Sequence, residues 1–353
     1  MPARVILVGT GGWGVSWCRN SLPRGVKEGL IEVVAAVDIV PENLIYAREC
    51  LGLTDEQCFT DARSAFESVK ADICVIPAPP EVHEQLASLA FEYGLDVLSE
   101  KPIADSLEGS IRIVQKAEST GRKMGITMSH KYRRDICTLR DMLRSGEYGK
   151  LDHLVANITM RTPEDIRARR DNVPYSMLIE GAVHHLDILE DLAGAECEYL
   201  FSDAWAPEWS PYKSGGQALI TMGFKNGVRA SYEAGFCNAT TQNKWGHEYI
   251  RAECEKATII MSMGGIRLFQ SVKDAGKDVY ETVGTDINLK EGSKWTHDYL
   301  LEQFVQWVNG GEKMETNVQA NLRSMVLVFA AIKSSETRMP VTIDEFMKGC
   351  GIK

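Results

Sequence analysis

Val5-Ile6-Leu7-Val8, an unbroken aliphatic run, leads directly into Gly9-Thr10-Gly11-Gly12-Trp13-Gly14. A short apolar run of this kind reads as a parallel strand buried on both faces. The G-x-G-x-x-G spacing after it reads as a tight passage into a helix. Each glycine has its own reason: Gly9 allows the turn, Gly11 admits a close backbone approach, and Gly14 lets the helix pack against the strand. Gly12 and Trp13 complete the turn. The helix that starts here aims free N–H groups and its positive dipole end at whatever lies above, which suits a pyrophosphate. Glycine-rich turns are common, so the context has to decide. A second apolar strand, 32–37, ends in Asp38, where an acid accepts hydrogen bonds from ribose hydroxyls and repels a 2′-phosphate. The pattern predicts a nicotinamide dinucleotide, with NAD favoured. Arg48 is within reach of a 2′-phosphate, so NADP stays open.

Strand and helix patterns then alternate. Residues 71–76 read as a strand running into Pro77-Ala78-Pro79-Pro80, and 84–93 as a helix closed by Gly94. Residues 96–99 give another strand, ending on Glu100-Lys101-Pro102; a helix over 111–119 and a strand over 123–128 follow. Such alternation predicts a doubly wound parallel sheet, whose ligands bind at the carboxyl ends of the strands. Pro79, His83, Glu100 and Lys101 then share a rim with the glycine turn. Beyond about residue 125 the pattern changes to long strands: 151–160, two within 217–236 joined at the hairpin signal Asn226-Gly227, then 249–262 and 266–272. Helices are expected at 299–308 and 318–335. The reading is of two domains, a dinucleotide-binding one over 1–125 and a second α/β one over 126–353.

Composition narrows the function classes. A length of 353 residues suits two domains, and 44% hydrophobic with 25% charged residues is a folding composition. A net charge of −10 argues against nucleic acid as partner, despite a basic stretch within 161–170. Apolar runs fall far short of a membrane span, so no membrane is expected. Nine cysteines without a C-x-x-C pair read as free thiols of a reducing compartment. With no leader of the secretory kind at the first residues, a cytoplasmic location is expected.

Two places carry candidate chemistry. Lys101, between an acid and a proline at a strand end, reads either as a solvated surface lysine or as a positioned cation beside the nicotinamide. In Leu178-Ile179-Glu180-Gly181-Ala182-Val183-His184-His185, apolar positions approximate helical spacing, and Glu180 and His184 stand at i and i+4 on one face. A carboxylate beside a histidine orients the ring and supports proton transfer. A satisfied core histidine is the competing reading. A metal needs a third ligand, and E-x-x-x-H alone is no metal motif, so no metal is expected. His185 points away from His184 and reads as structural.

Gly9-x-Gly11-x-x-Gly14, Pro79-Pro80-x-x-His83 and Glu100-Lys101-Pro102, in this order and spacing, resemble the Gfo/Idh/MocA oxidoreductase family. The resemblance implies a second domain with an open, mostly antiparallel sheet, one face covered by helices and the other often forming oligomers, hence a homodimer or homotetramer. It implies NAD(P)-dependent oxidation or reduction of a sugar, cyclitol or related carbonyl compound, with Lys101 in catalysis. His184 matches the family's catalytic histidine. Glu180 stands where an aspartate is usual, and Asn172-Val173-Pro174-Tyr175-Ser176 replaces a glycine run. These departures keep the charge but leave the substrate open. In the expected mechanism His184 takes the hydroxyl proton, Lys101 holds the same oxygen, and Glu180 orients the substrate or His184. His130, Tyr132, Asn157 and Arg161 are expected substrate contacts. A redox-assisted glycosidase and a non-catalytic dinucleotide-binding regulator are the rival readings.

Overall fold

The structure is a computed structural model, and it describes residues 1–162, 173–273 and 280–352. The chain divides into two compact units, Met1–Ser129 with Lys294–Met325, and His130–Ser293 with Val326–Lys353.

In the first unit, β1 (Ala3–Val8), β2 (Ile31–Val37), β3 (Cys58–Phe59), β4 (Ile73–Ile76), β5 (Asp96–Ser99) and β6 (Met124–Ile126) form one six-stranded sheet in the order β3-β2-β1-β4-β5-β6. Every pairing is parallel. β1 and β4 are buried almost throughout, as their continuous apolar runs require. The strand order reverses direction beside β1, where a dinucleotide crevice forms in such sheets. The helix Leu107–Thr120 begins earlier than its apolar pattern indicates, because the Ser106 side chain accepts the Gly109 N–H. It ends where Gly121 turns left-handed, at φ 66°.

The segment Lys294–Met325 belongs to this first unit, whereas a single second domain from residue 126 places it elsewhere. Its attachments are specific. Ile126 N–H donates to the Thr316 carbonyl at 2.9 Å, and the Thr316 hydroxyl donates to the Ile126 carbonyl at 2.7 Å. Lys123 Nζ reaches the Trp307 carbonyl at 2.6 Å, and Arg24 pairs with Asp298 at 2.7 Å. The edge strand β6 is thereby covered rather than left open.

The second unit is built on a nine-stranded sheet from β7 (Leu151–Thr159), β8 (Cys197–Trp205), β9 (Gln217–Phe224), β10 (Arg229–Gly235), β11 (Tyr249–Cys254), β12 (Ala257–Ser262), β13 (Gly265–Lys273), β14 (Tyr280–Ile287) and β15 (Val341–Thr342). The order is β14-β13-β12-β11-β7-β10-β9-β8-β15. Only β7 and β10 run parallel; the rest is antiparallel. The Asn226-Gly227 hairpin joins β9 to β10 as expected, with Gly227 at φ 89°. Residues 249–262, read as one strand, are two, turned back at Glu255-Lys256. Helices Arg134–Arg144 and Val183–Ala193 lie against this sheet. On the β8–β9 pair, Tyr199, Phe201, Trp205 and Leu219 are exposed. All nine cysteines are free thiols, and no helix among the described residues is long and apolar enough to cross a membrane.

Candidate active site

The glycine turn has the shape its spacing calls for. Gly9 adopts φ 104° and Gly12 φ 52°, backbone regions that L side chains avoid. A Cβ on Gly14 would stand 2.2 Å from the Gly9 carbonyl oxygen, so only glycine lets the helix start this close beneath the strand end. Asp38 closes the turn. Its Oδ2 accepts the Thr10 and Gly11 backbone N–H groups at 2.8 and 2.9 Å, and its Oδ1 accepts Val40 N–H and the Asn43 amide. Burial alone would raise the Asp38 pKa, but these donors hold the carboxyl below its usual range. The residues present fit a dinucleotide: a left-handed glycine turn, a helix N-terminus after it, and an anionic carboxylate at the end of β2.

The other rim residues are locked to this turn from behind. Glu100 is buried, and its Oε1 accepts the indole N–H of Trp13 at 2.9 Å and of Trp17 at 3.0 Å, with His297 Nε2 also at 3.0 Å. Burial would raise its pKa, yet His297, Lys101 and the Trp17 indole hold the carboxyl down to about 2. Trp13 is the last turn residue before the helix entered at Gly14, and Trp17 opens the π turn Trp17–Ser21 into which that helix widens. Glu100 therefore ties the end of β5 to the glycine helix. Lys101 follows it directly, half-buried, before the cis Lys101–Pro102 bond. His83 is fully buried, with Nδ1 2.9 Å from the Pro102 carbonyl and Nε2 2.8 Å from the Ala78 carbonyl. Burial lowers its pKa. It holds the Ala78-Pro79 loop to the Lys101-Pro102 turn, so its part on the rim is exerted through backbone. Ala78 in turn packs on Gly9, whose Cβ would meet the Ala78 nitrogen at 3.0 Å.

The second unit gathers a histidine cluster that residue spacing does not announce. His130 and His184 stack at 4.4 Å between ring centroids, 13° from parallel. Trp245 lies 4.7 Å from the His130 ring and 5.4 Å from that of His185. Glu248 sits at the centre. Its Oε1 is 3.4 Å from His130 Nδ1, 3.3 Å from His185 Nε2, and accepts the Gly246 N–H at 2.9 Å. Its Oε2 pairs with Arg133, which also grips Asp135. Against the cost of burial, the two histidines hold the Glu248 carboxyl well below the carboxylate range. Burial pushes His130 down to about 4, so that ring is neutral near pH 7. His185 Nδ1 meets the Tyr232 hydroxyl at 2.5 Å.

His184 is buried at the start of the helix Val183–Ala193, but Leu178–Ala182 before it form a π turn. The same-face pairing of Glu180 with His184 was read from a regular 3.6-residue period, which this wider turn interrupts; such turns recur at functional sites. Among the expected substrate contacts, Asn157 hydrogen-bonds Asn243 and lines a water-sized cavity with His185, Tyr232 and Glu248. Tyr132 is buried, with the Arg140 guanidinium 5.7 Å from its ring centre. Arg161 is exposed, its backbone N–H on the Thr241 hydroxyl; most of the basic stretch 161–170, and Asn172, lie outside the described residues. Glu248, Trp245, Tyr232 and Arg133 in this unit, and Trp17 and His297 in the first, were not singled out from sequence. Glu248 stands 63 positions from His185 along the chain, a separation that carries no local signal.

Comparison with known proteins follows the same division. Residues 3–128 match the model of an oxidoreductase family with an NAD-binding Rossmann fold, and residues 136–260 match the GFO/IDH/MocA C-terminal domain. The chain is 41% identical to the uncharacterised protein y4oX of Sinorhizobium fredii, over 99% of this chain and 98% of that one. It is 21% identical to myo-inositol 2-dehydrogenase of Thermotoga maritima, over 97% of this chain and 99% of that one. Among solved structures, an oxidoreductase from Agrobacterium radiobacter in complex with NAD+, L-tartaric acid and magnesium superposes with a TM-score of 0.82 at 18% identity, covering 98% of this chain and 99% of that one.

Proposed function

The chain belongs to the Gfo/Idh/MocA oxidoreductase family and has its NAD-binding Rossmann domain, and from that premise we propose that it moves a hydride between NAD and a hydroxyl-bearing or carbonyl carbon of a sugar, cyclitol or related small molecule. The observation that carries this reading is the Glu100 anchor. The Trp13 and Trp17 indoles converge on one carboxylate, which fixes the backbone that presents Lys101. A lysine meant only for solvation needs no such anchoring.

When bound, the nicotinamide supplies the hydride acceptor or donor. Gly9, Gly11, Gly12, Trp13 and Gly14 would shape the pyrophosphate turn. Asp38 would meet the adenosine ribose, with Pro79 and His83 shaping the opposite lip. Lys101 hydrogen-bonds the reacting oxygen and offsets the negative charge that grows on it during oxidation. His184 takes the hydroxyl proton in that direction and returns it in the other. Glu180 orients hydroxyls of the substrate, and His130 and Asn157 add polar contacts. Inositol dehydrogenases among the relatives favour a polyhydroxylated substrate. A cytoplasmic location and a homodimeric or homotetrameric state complete the reading.

The test is a panel of sugars and cyclitols followed at the nicotinamide absorbance, with NAD and NADP in parallel. Once a substrate is found, Lys101→Ala is expected to abolish turnover while NADH still binds, read by quenching of tryptophan fluorescence. Unchanged turnover in that variant would remove Lys101 from the chemistry. Glycoside cleavage without net NADH would replace the dehydrogenase reading with the redox-assisted one.

A further inference from the structure

We propose that His130, His185 and Glu248 form a binding site for one divalent transition-metal ion, with zinc the best match to the ligand set. The sequence expectation of no metal was judged on Glu180 and His184. The ligands that converge are others, brought together from three separate stretches of the second unit. Their donor atoms all lie within 4.8 Å of one another, and all three residues are buried. Two imidazoles and one carboxylate are a recurrent set for zinc and other borderline divalent ions, and a poor one for magnesium or calcium.

Three observations support an ion between these atoms. First, ligand atoms held about 2.0–2.2 Å from a tetrahedral ion stand roughly 3.3–3.6 Å apart, and Glu248 Oε1 lies 3.4 Å from His130 Nδ1 and 3.3 Å from His185 Nε2. Second, His130 Nδ1 is buried and meets no hydrogen-bond geometry among the described residues. It faces Glu248 Oε1 at 3.4 Å outside hydrogen-bond geometry, and an ion held between the two atoms satisfies both. The carboxylate is already supplied with donors, Arg133 on Oε2 and Gly246 N–H on Oε1. Third, the outer groups are in place. If His185 donates its Nδ1 proton to the Tyr232 hydroxyl, its Nε2 lone pair faces Oε1, the orientation that an outer hydrogen bond imposes on a metal-binding histidine. The charges agree as well: Glu248 and Asp135 against Arg133 leave one net negative charge for a dication to meet. Three protein ligands leave a fourth position for an exchangeable oxygen.

The test uses the full chain, freed of metal by a chelator and then given zinc or cobalt chloride without NAD or substrate. Metal analysis after dialysis is expected to find one zinc per chain. Cobalt in its place should give the visible absorbance of a four-coordinate nitrogen–oxygen site. H130A and H185A should each weaken binding by more than the roughly 10–100-fold that loss of an outer-shell partner costs, and Y232F by about that amount. No retained zinc in the native chain overturns the proposal. So does a strong thiolate-to-cobalt band, which would place the ion on cysteines. The cobalt spectrum needs no variant, so a misfolded H130A leaves it decisive. Because no cofactor or substrate is present, the outcome is independent of the proposed dehydrogenase activity.

Discussion

Asp38 holds the glycine turn with the same carboxylate that is proposed to meet the ribose. Its two oxygens take Thr10 N–H, Gly11 N–H, Val40 N–H and the Asn43 amide, so its removal acts on structure as well as on recognition. Asp38→Ser is expected to lower stability by roughly 1–3 kcal/mol, the usual cost of stranding buried donors, read as a shift in thermal unfolding. The same variant should move the kcat/KM preference from NAD toward NADP; an unmoved preference would separate the acid from the ribose. At this scale the sequence was most legible where one residue type is demanded by backbone geometry. Gly9 and Gly14 announce themselves because no side chain fits there. His83 did not reveal its part, because a histidine set between two backbone carbonyls looks the same in sequence as one facing a ligand.

Among elements, the end of β5 and the glycine helix meet at Glu100, with His297 as the third partner. Replacing Glu100 with Gln keeps the shape and removes the buried charge on which Trp13, Trp17 and His297 converge. A loss of roughly 3–5 kcal/mol is expected from breaking a buried pair of this kind. The pH dependence has a definite sign. The folded-state pKa is depressed from 4.5 to about 2. The ionised group therefore stabilises the fold fully above pH 4.5, and its contribution fades as pH falls from there toward about 2. Urea unfolding of both proteins from pH 7 down to pH 3 should show the native advantage shrinking below pH 4.5. A gap that stays constant to pH 3 would contradict a depressed Glu100. Strand and helix periods were readable here, yet both π turns were not, since an inserted residue hardly disturbs an apolar pattern. The hairpin at Asn226-Gly227 was readable because its backbone conformation selects those residues.

For the whole molecule, the exposed row Tyr199, Phe201 and Trp205 on β8, with Leu219 on β9, is an apolar surface of the kind that mediates association. If it joins copies of this chain, the paired change Trp205→Glu with Leu219→Glu should reduce a dimeric or tetrameric mass to that of one chain in sedimentation. A native protein that already sediments as a single chain would remove the oligomer from the proposal. The chain's own sequence determined the sheet class, the glycine turn, the acid closing β2 and the family, because each is written in local spacing or in residues with steric demands. Tertiary structure alone decided that Lys294–Met325 completes the first unit, that Glu100 is a buried anchor, and that Glu248 joins His130 and His185. Those are contacts between residues far apart in the chain. Their physical basis is burial and charge pairing in three dimensions, for which no one-dimensional period exists. The glycine turn was visible from the first lines of sequence; the cluster around Glu248 existed only once the sheet had formed.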